Sequence, residues 1–156
     1  MAGRRKSVKK AGEKASTGKI VNLIKLCVGV DEVRQLREFQ AARLARGETL
    51  RHVTRSRPRR DAEVLSGGSL YWVIKGAIRV RQRITALDVV ETEEGRKCGL
   101  VLDPELVLTE AWPRRPHQGW RYLEVKDSPP DIGVTGEGED DLPAELRAEL
   151  RDMGVI

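Results

Sequence analysis

The sequence predicts an α+β fold: a mainly antiparallel sheet or small β-barrel with one early helix and a C-terminal helix. About seven short runs rich in β-branched and apolar residues are divided by Gly, Pro and Asp turn signals. Helical spacing appears only between Asp31 and Gly47, and again between Leu142 and Met153. Short consecutive strands with so few helices fit an antiparallel sheet that closes on itself. A chain of 156 residues suffices for one domain with a real core, and a charged fraction of 34% leaves part of it to tail or solvated surface.

Residues 1–19 are basic, small and nearly devoid of large apolar groups, which predicts a disordered tail. A single domain is expected over residues 20–126. Ile20 to Val28 reads as a buried strand. Asp31 looks like an N-cap, followed at helical spacing by Val33, Leu36, Phe39 or Gln40, and Leu44, with Gly47 placed to end the helix. Thr49 to Arg57 is a candidate strand closed by Pro58, and its Arg51, Arg55 and Arg57 share parity. Arg60 to Leu65 is about long enough for one and a half helical turns before Gly67-Gly68 breaks it. Strands are expected at Ser69–Lys75 and, after a turn at Gly76, at Ala77–Val90. The acidic ETEEGR marks a loop. Short strands at Cys98–Leu102 and Glu105–Thr109 flank the turn residues Asp103-Pro104. WPRRPH is a proline-bounded loop before a last strand, Gly119–Val125. Residues 127–141 are proline, glycine and acid, the composition of a linker, and residues 142–156 form the C-terminal helix.

Charge is unevenly divided. Seven of the 29 Lys and Arg lie in residues 1–19 against one acid, Glu13, so the net charge of +5 belongs to the tail. The remainder is slightly acidic but split, with a basic block in residues 51–83 and an acidic C-terminal half. That division suits an anion-binding surface, and it equally suits basic and acidic elements paired within one fold. Cys27 and Cys98 sit in apolar contexts as buried small hydrophobes of a reducing compartment. With two histidines and no CxxC, neither a metal site nor a cofactor is expected. The start lacks the apolar core of a signal peptide and no run approaches the ~20 apolar residues of a membrane span, so the expectation is a cytoplasmic protein with no membrane partner.

The densest cluster is an arginine ladder. From Ile78 the residues alternate, with Ile78, Val80, Gln82 and Ile84 on one side and Arg79, Arg81 and Arg83 on the other. Arg55 and Arg57 form a possible second row, beside the pair Arg59-Arg60. Guanidinium forks match phosphate and carboxylate geometry, and beyond residue 19 only Lys25, Lys75, Lys97 and Lys126 are lysine. The bland alternative is a solvated face neutralised by Asp88, Glu91, Glu93 and the acidic half. Tyr71 and Trp72 point to opposite faces, so only one is expected in the core; Arg121 alternates with Trp120 and Tyr122 and is expected on the ladder's face. Catalytic patterns are weak: Ser69, His117 and Asp103 lie far apart in sequence, and His52 among arginines favours its neutral form.

The strings SLYWVIKG, VRQRI, CGLVLDPEL, QGWRYL and SPPD, in that order, resemble the domain of unknown function 1489 family, short proteins best known from alphaproteobacteria. The resemblance covers about residues 20–132; the basic tail and the segment after Ile132 look like departures. It implies no established activity. The order helix, Gly-Gly, strand, Gly, basic strand is also similar, more distantly, to PUA-like and ASCH barrels, which implies RNA or modified-base binding. The expected function is an RNA-binding module using Arg55, Arg57, Arg79, Arg81, Arg83 and Arg121, with Trp72, Trp120 and Tyr122 as stacking surfaces. The alternative is a small enzyme or metabolite-binding protein that holds a phosphate or carboxylate with the same arginines. The sequence does not set the oligomeric state.

Overall fold

The computed structural model describes residues 19–134. The expected tail over 1–18, the remainder of the expected linker and the helix expected over 142–153 lie outside the described residues. Ten main elements run in the order β1 (Val21–Leu26), α1 (Val33–Ala45), β2 (Arg51–Thr54), α2 (Asp61–Leu65), β3 (Ser69–Ile74), β4 (Ala77–Thr92), β5 (Gly95–Leu102), β6 (Val107–Pro113), β7 (Trp120–Glu124) and β8 (Asp131–Val134). The fold is strand-rich α+β, with a mixed sheet that curls into a half-barrel and two helices among the described residues.

The sheet order is β2-β5-β4-β3-β1-β7, with β6 joined to β4 and β8 to β6. All pairs are antiparallel except β1 with β3. The sheet is organised by β4, which is 16 residues long. Its first half pairs with β3 and β6, and its second half with β5. The Asp103 N–H donates to the Arg83 carbonyl at 2.9 Å, so β5 and β6 follow one another along one edge of β4, interrupted by the expected Asp103-Pro104 turn. Lys75-Gly76 closes the β3–β4 hairpin with both residues at positive φ, 51° and 78°, as a two-residue turn matched to strand twist requires.

Two features depart from the alternation in the sequence. Register shifts at Trp72/Val73 and at Ile78/Val80 mark a bulge where β3, β4 and β6 meet. Val80 and Ile84 lie in the main core with Leu23, Leu70, Trp72, Leu100 and Leu108. Ile78 has moved to the opposite face, where it packs with Ile24, Tyr71, Val73 and Leu123. Tyr71 and Trp72 are therefore both buried, one in each cluster, because this part of the sheet is covered on both sides. The second departure is β8. The proline- and glycine-rich residues expected to begin a linker instead add a strand to β6, because Asp131 and the following residues complete an edge.

Helix α1 lies against the main core through Val33 and Leu36. Its N-terminus is held by Gln35, whose Oε1 accepts the N–H groups of Asp31 and Glu32 at 2.6 and 3.0 Å; the N-cap is Glu32, one residue beyond the expected Asp31. The residue that completes the buried stripe is Gln40, while Phe39 is 56% exposed. Gln40 is inside because it meets Gln82, which is fully buried in the middle of β4. The two amides bond reciprocally at 2.9 and 2.7 Å. Gln82 also accepts Trp72 Nε1–H at 2.9 Å and donates to the Asp103 carbonyl at 3.0 Å. Both donors and both acceptor directions of that amide are engaged.

Gly68 shows why a glycine pair precedes β3. A Cβ there would lie 2.2 Å from the Val21 carbonyl oxygen and 2.7 Å from that of Val64, so only glycine admits this approach of α2 to β1.

Replacing Gln82 by Leu leaves Trp72 Nε1–H, the Asp103 carbonyl and the Gln40 amide without their partner. The expected cost is about 3 kcal/mol, read as a lower urea midpoint with an unchanged slope. A loss below about 1 kcal/mol would show that the network contributes little.

Candidate functional site at the sheet seam

The terminal strands of the sheet order, β2 and β7, face each other across a seam that is bridged rather than zipped. Trp120 Nε1–H donates to the Ser56 carbonyl at 2.9 Å, and the Arg60 N–H donates to the Tyr122 hydroxyl at 3.0 Å. The Arg60 guanidinium lies 5.1 Å from the Tyr122 ring centre and pairs with Glu63 at 2.7 Å and Glu124 at 2.9 Å. Residues 55–60, which leave β2 and lead into α2, are thereby strapped to β7.

Between these bridges lies a cleft of about 730 Å³. Its lining includes Lys25 from β1, Arg55, Arg57 and Arg59 from the strap, and Gln118, Trp120 and Tyr122 from β7 and the loop before it. No Asp or Glu is among the lining residues. Trp120 and Tyr122 are both partly buried against the main core, their rings 5.0 Å apart in an edge-to-face arrangement. They face inward because β7 is in register with β1, Lys25 opposite Trp120 and Leu23 opposite Tyr122.

The cations of the cleft differ in what they already bind. Arg57 pairs with Asp61 at 3.1 Å and reaches the Leu87 carbonyl at 3.4 Å. Arg59 forms no ion pair or hydrogen bond among the described residues; Arg55 forms neither, but its charge acts on Glu94 and helps hold that carboxyl below its usual range. Lys25 also lacks a carboxylate partner among the described residues, and burial lowers its ammonium below the usual lysine range, against a smaller opposing influence of the Cys27 thiol. An ammonium in that setting gains from an incoming anion.

The structure divides the residues expected from the sequence. Arg55, Arg57, Trp120 and Tyr122 come together in the cleft, although Arg55 and Arg57 lie beyond the end of β2 rather than in a strand row with Arg51, which instead pairs with Asp88 at 2.8 Å. The arginine ladder does not form one open face. At the bulge Arg79 is 8% exposed, and its Nε–H donates to the Ile74 carbonyl at 2.7 Å. Arg81 forks onto Asp131 at 2.8 and 2.7 Å and donates to the Ser69 hydroxyl at 2.9 Å. Arg83 is exposed, away from the cleft. Trp72 is 3% exposed and bonded to Gln82, so it offers no open stacking face. Arg121 lies on the face of β7 opposite Trp120 and Tyr122, the face it shares with Arg81. Ser69 is taken by Arg81, and Asp103 Oδ1 accepts the Glu105 N–H at 2.8 Å in an ordinary turn.

Lys25 was not picked out by the sequence reading. Its signal was present: a single lysine in the mostly apolar IVNLIKLCV, at the parity of buried Leu23. Arg59 carries no comparable signal, since nothing local separates it from Arg60, which the fold pairs twice.

Beside the cleft, His52 stands edge-on to Trp72 with ring centres 5.1 Å apart. Burial, then the charges of Lys25 and Arg43, push its pKa down to about 4, so it is neutral at physiological pH. Cys27 and Cys98 are buried with free thiols, and burial pushes Cys27 up to about 12, as expected of inert core cysteines. Among the described residues no group of three or more His, Cys, Asp or Glu is placed to hold a metal, and no helix is long and apolar enough to cross a membrane.

Because the folded-state pKa of His52 lies below its unfolded value, the unfolded chain binds the extra proton. Stability contributed by neutral His52 is complete above pH 6.5 and is lost as pH falls toward 4, by up to about 3 kcal/mol. Urea unfolding at pH 7.0 and 4.5 should show a loss in the wild type that exceeds the loss in His52→Gln by at least about 1 kcal/mol. Equal losses would contradict the burial of His52.

A family model described as "Protein of unknown function (DUF1489)" matches residues 23–156. The chain belongs to that family, and the match extends through the segment after Ile132 that looked like a departure from it. No curated protein and no solved structure matches the chain.

Proposed function

We propose that this DUF1489 member is a cytoplasmic RNA-binding module that holds an unpaired strand in the seam cleft. Arg55, Arg59 and Lys25 neutralise phosphates there, with Arg57 at the side. Trp120 and Tyr122 supply the wall on which a base stacks. The observation that carries the reading is the coincidence of four cations, of which Arg59 and Lys25 have no carboxylate partner among the described residues, with two aromatic rings in one cleft whose lining holds no Asp or Glu. Single-stranded RNA is bound by that combination, with guanidinium and ammonium groups along the backbone and rings against the bases. The edge-bonded indole supports it further. With Nε1–H fixed on Ser56, Trp120 is ordered before any ligand arrives, which reduces the entropy lost on binding.

A cleft that instead takes one small phosphate or carboxylate metabolite uses the same cations, and salt dependence separates the two readings. For single strands each neutralised phosphate contributes about 0.7 to the slope of log affinity against log salt. In the full-length chain, Arg55→Gln with Arg59→Gln should lower that slope for a ten-residue oligouridine by about 1.4 and leave the thermal midpoint unchanged. Arg121→Gln, on the other face of β7, should leave it unaltered. An unchanged slope in the double variant removes the cleft as the RNA site. A slope near zero in the wild type selects the small-ligand reading.

A further inference from the structure

A second cavity, of about 210 Å³, lies between α1 and the sheet. Leu36, Phe39, Leu50, Trp72 and Leu102 make its walls largely apolar. By volume it is comparable with an apolar cavity that takes up benzene, enough for one small ring system. At its rim the Phe39 ring is 56% exposed and Val28 77% exposed, an apolar entrance on a charged surface.

Two polar groups in this lining lack partners. His52 Nε2 is sealed from solvent and has no hydrogen-bond partner among the described residues. Neutral His52 lines the cavity, edge-on to Trp72. The other polar side chain of the interior, Gln40, is spent on Gln82. Lys25 lines this cavity as well as the seam cleft, again without a carboxylate among the described residues. Arg43 and Arg51, which also line it, are engaged with Glu48 and Asp88 respectively. An apolar slot thus has in its lining a histidine with an unpartnered ring nitrogen and a lysine without a carboxylate among the described residues. Buried polar atoms without partners are destabilising, and a ligand that supplies both partners removes that cost.

We propose that this cavity is a binding site for a small planar aromatic acid, with its ring against Phe39 and Leu36, a polar ring atom on His52 Nε2 and its anionic group on Lys25. The site does not depend on RNA binding in the seam cleft. Lys25 is the residue through which the two communicate, because an anion on one side of its ammonium competes with an anion on the other.

The test is a titration of the full-length protein, followed by amide chemical shifts. The probes are indole-3-carboxylate, which has ring, ring N–H and anion; indole, which lacks the anion; acetate, which lacks the ring; and uridine 5′-monophosphate, whose anion is a phosphate. Indole-3-carboxylate should saturate shifts at Leu36, Phe39 and Leu50, acetate should not, and indole should bind about tenfold more weakly. Lys25→Met should abolish the preference for the carboxylate over indole, and His52→Leu should weaken both. Phe39→Ala, at an exposed position that does not threaten folding, should weaken both as well. Saturation of the same amides by the mononucleotide assigns the natural acid to nucleotides, and its failure beside successful carboxylate binding assigns it to carboxylates. The proposal is overturned if no ring probe saturates these amides, if shifts are confined to Gln118 and Gly119 in the cleft, or if Lys25→Met, with a native spectrum, keeps the preference.

Discussion

The amide of Gln82 is the point at which the curled sheet is fixed. It is fully buried, and its four hydrogen bonds reach α1 through Gln40, β3 through Trp72 and the β5–β6 turn through Asp103. A buried amide tolerates no partial satisfaction, because each unpaired donor or acceptor costs about 1–3 kcal/mol. The network therefore selects one arrangement: α1 against the core with Gln40 over the middle of β4, and β5 and β6 in sequence along the same edge. Apolar packing alone would accept α1 at several rotations. Once α1 is set, the cavity between it and the sheet follows.

Much of this order is legible in the sequence, and the exceptions have physical reasons. Short β-branched runs between turn residues mark seven of the eight strands, and Gly47, Gly76 and the Asp103-Pro104 pair fall where the chain turns. Alternation fails at Ile78 and Arg79 because a β-bulge inserts a residue without any local mark in the sequence, and every parity argument across it then reverses. Phe39 looked as fit for the core as Gln40; only the partner on β4, 42 residues away, decides between them. The strand β8 is invisible because its residues carry the composition of a linker and are ordered by pairing with β6.

The candidate site is legible in part for a related reason. Sequence shows where arginines are dense, and folding decides which of them keep their charge available. Carboxylates of the acidic half are consumed by specific partners: Asp88 by Arg51, Asp131 by Arg81, Glu124 by Arg60. Of the most conspicuous row, Arg81 is thereby neutralised, Arg79 is buried on a carbonyl, and Arg83 stays exposed outside the cleft. Arg55 and Arg59, less conspicuous, form no ion pair among the described residues and stand in a cleft whose lining has no acid. Both rings beside them were recognisable as β7 residues, but their neighbours come from the opposite end of the sheet order, a proximity created by the curl.

The central claim is that a bound strand lies in the seam and not on the outer face of β3 and β4. Photocrosslinking the full-length protein to an oligonucleotide carrying 4-thiouridine, with the adducts located residue by residue, tests it most directly. Adducts on Trp120 or Tyr122 are the predicted result. Adducts confined to residues 1–18, or to the outer face around Tyr71 and Arg121, would contradict it.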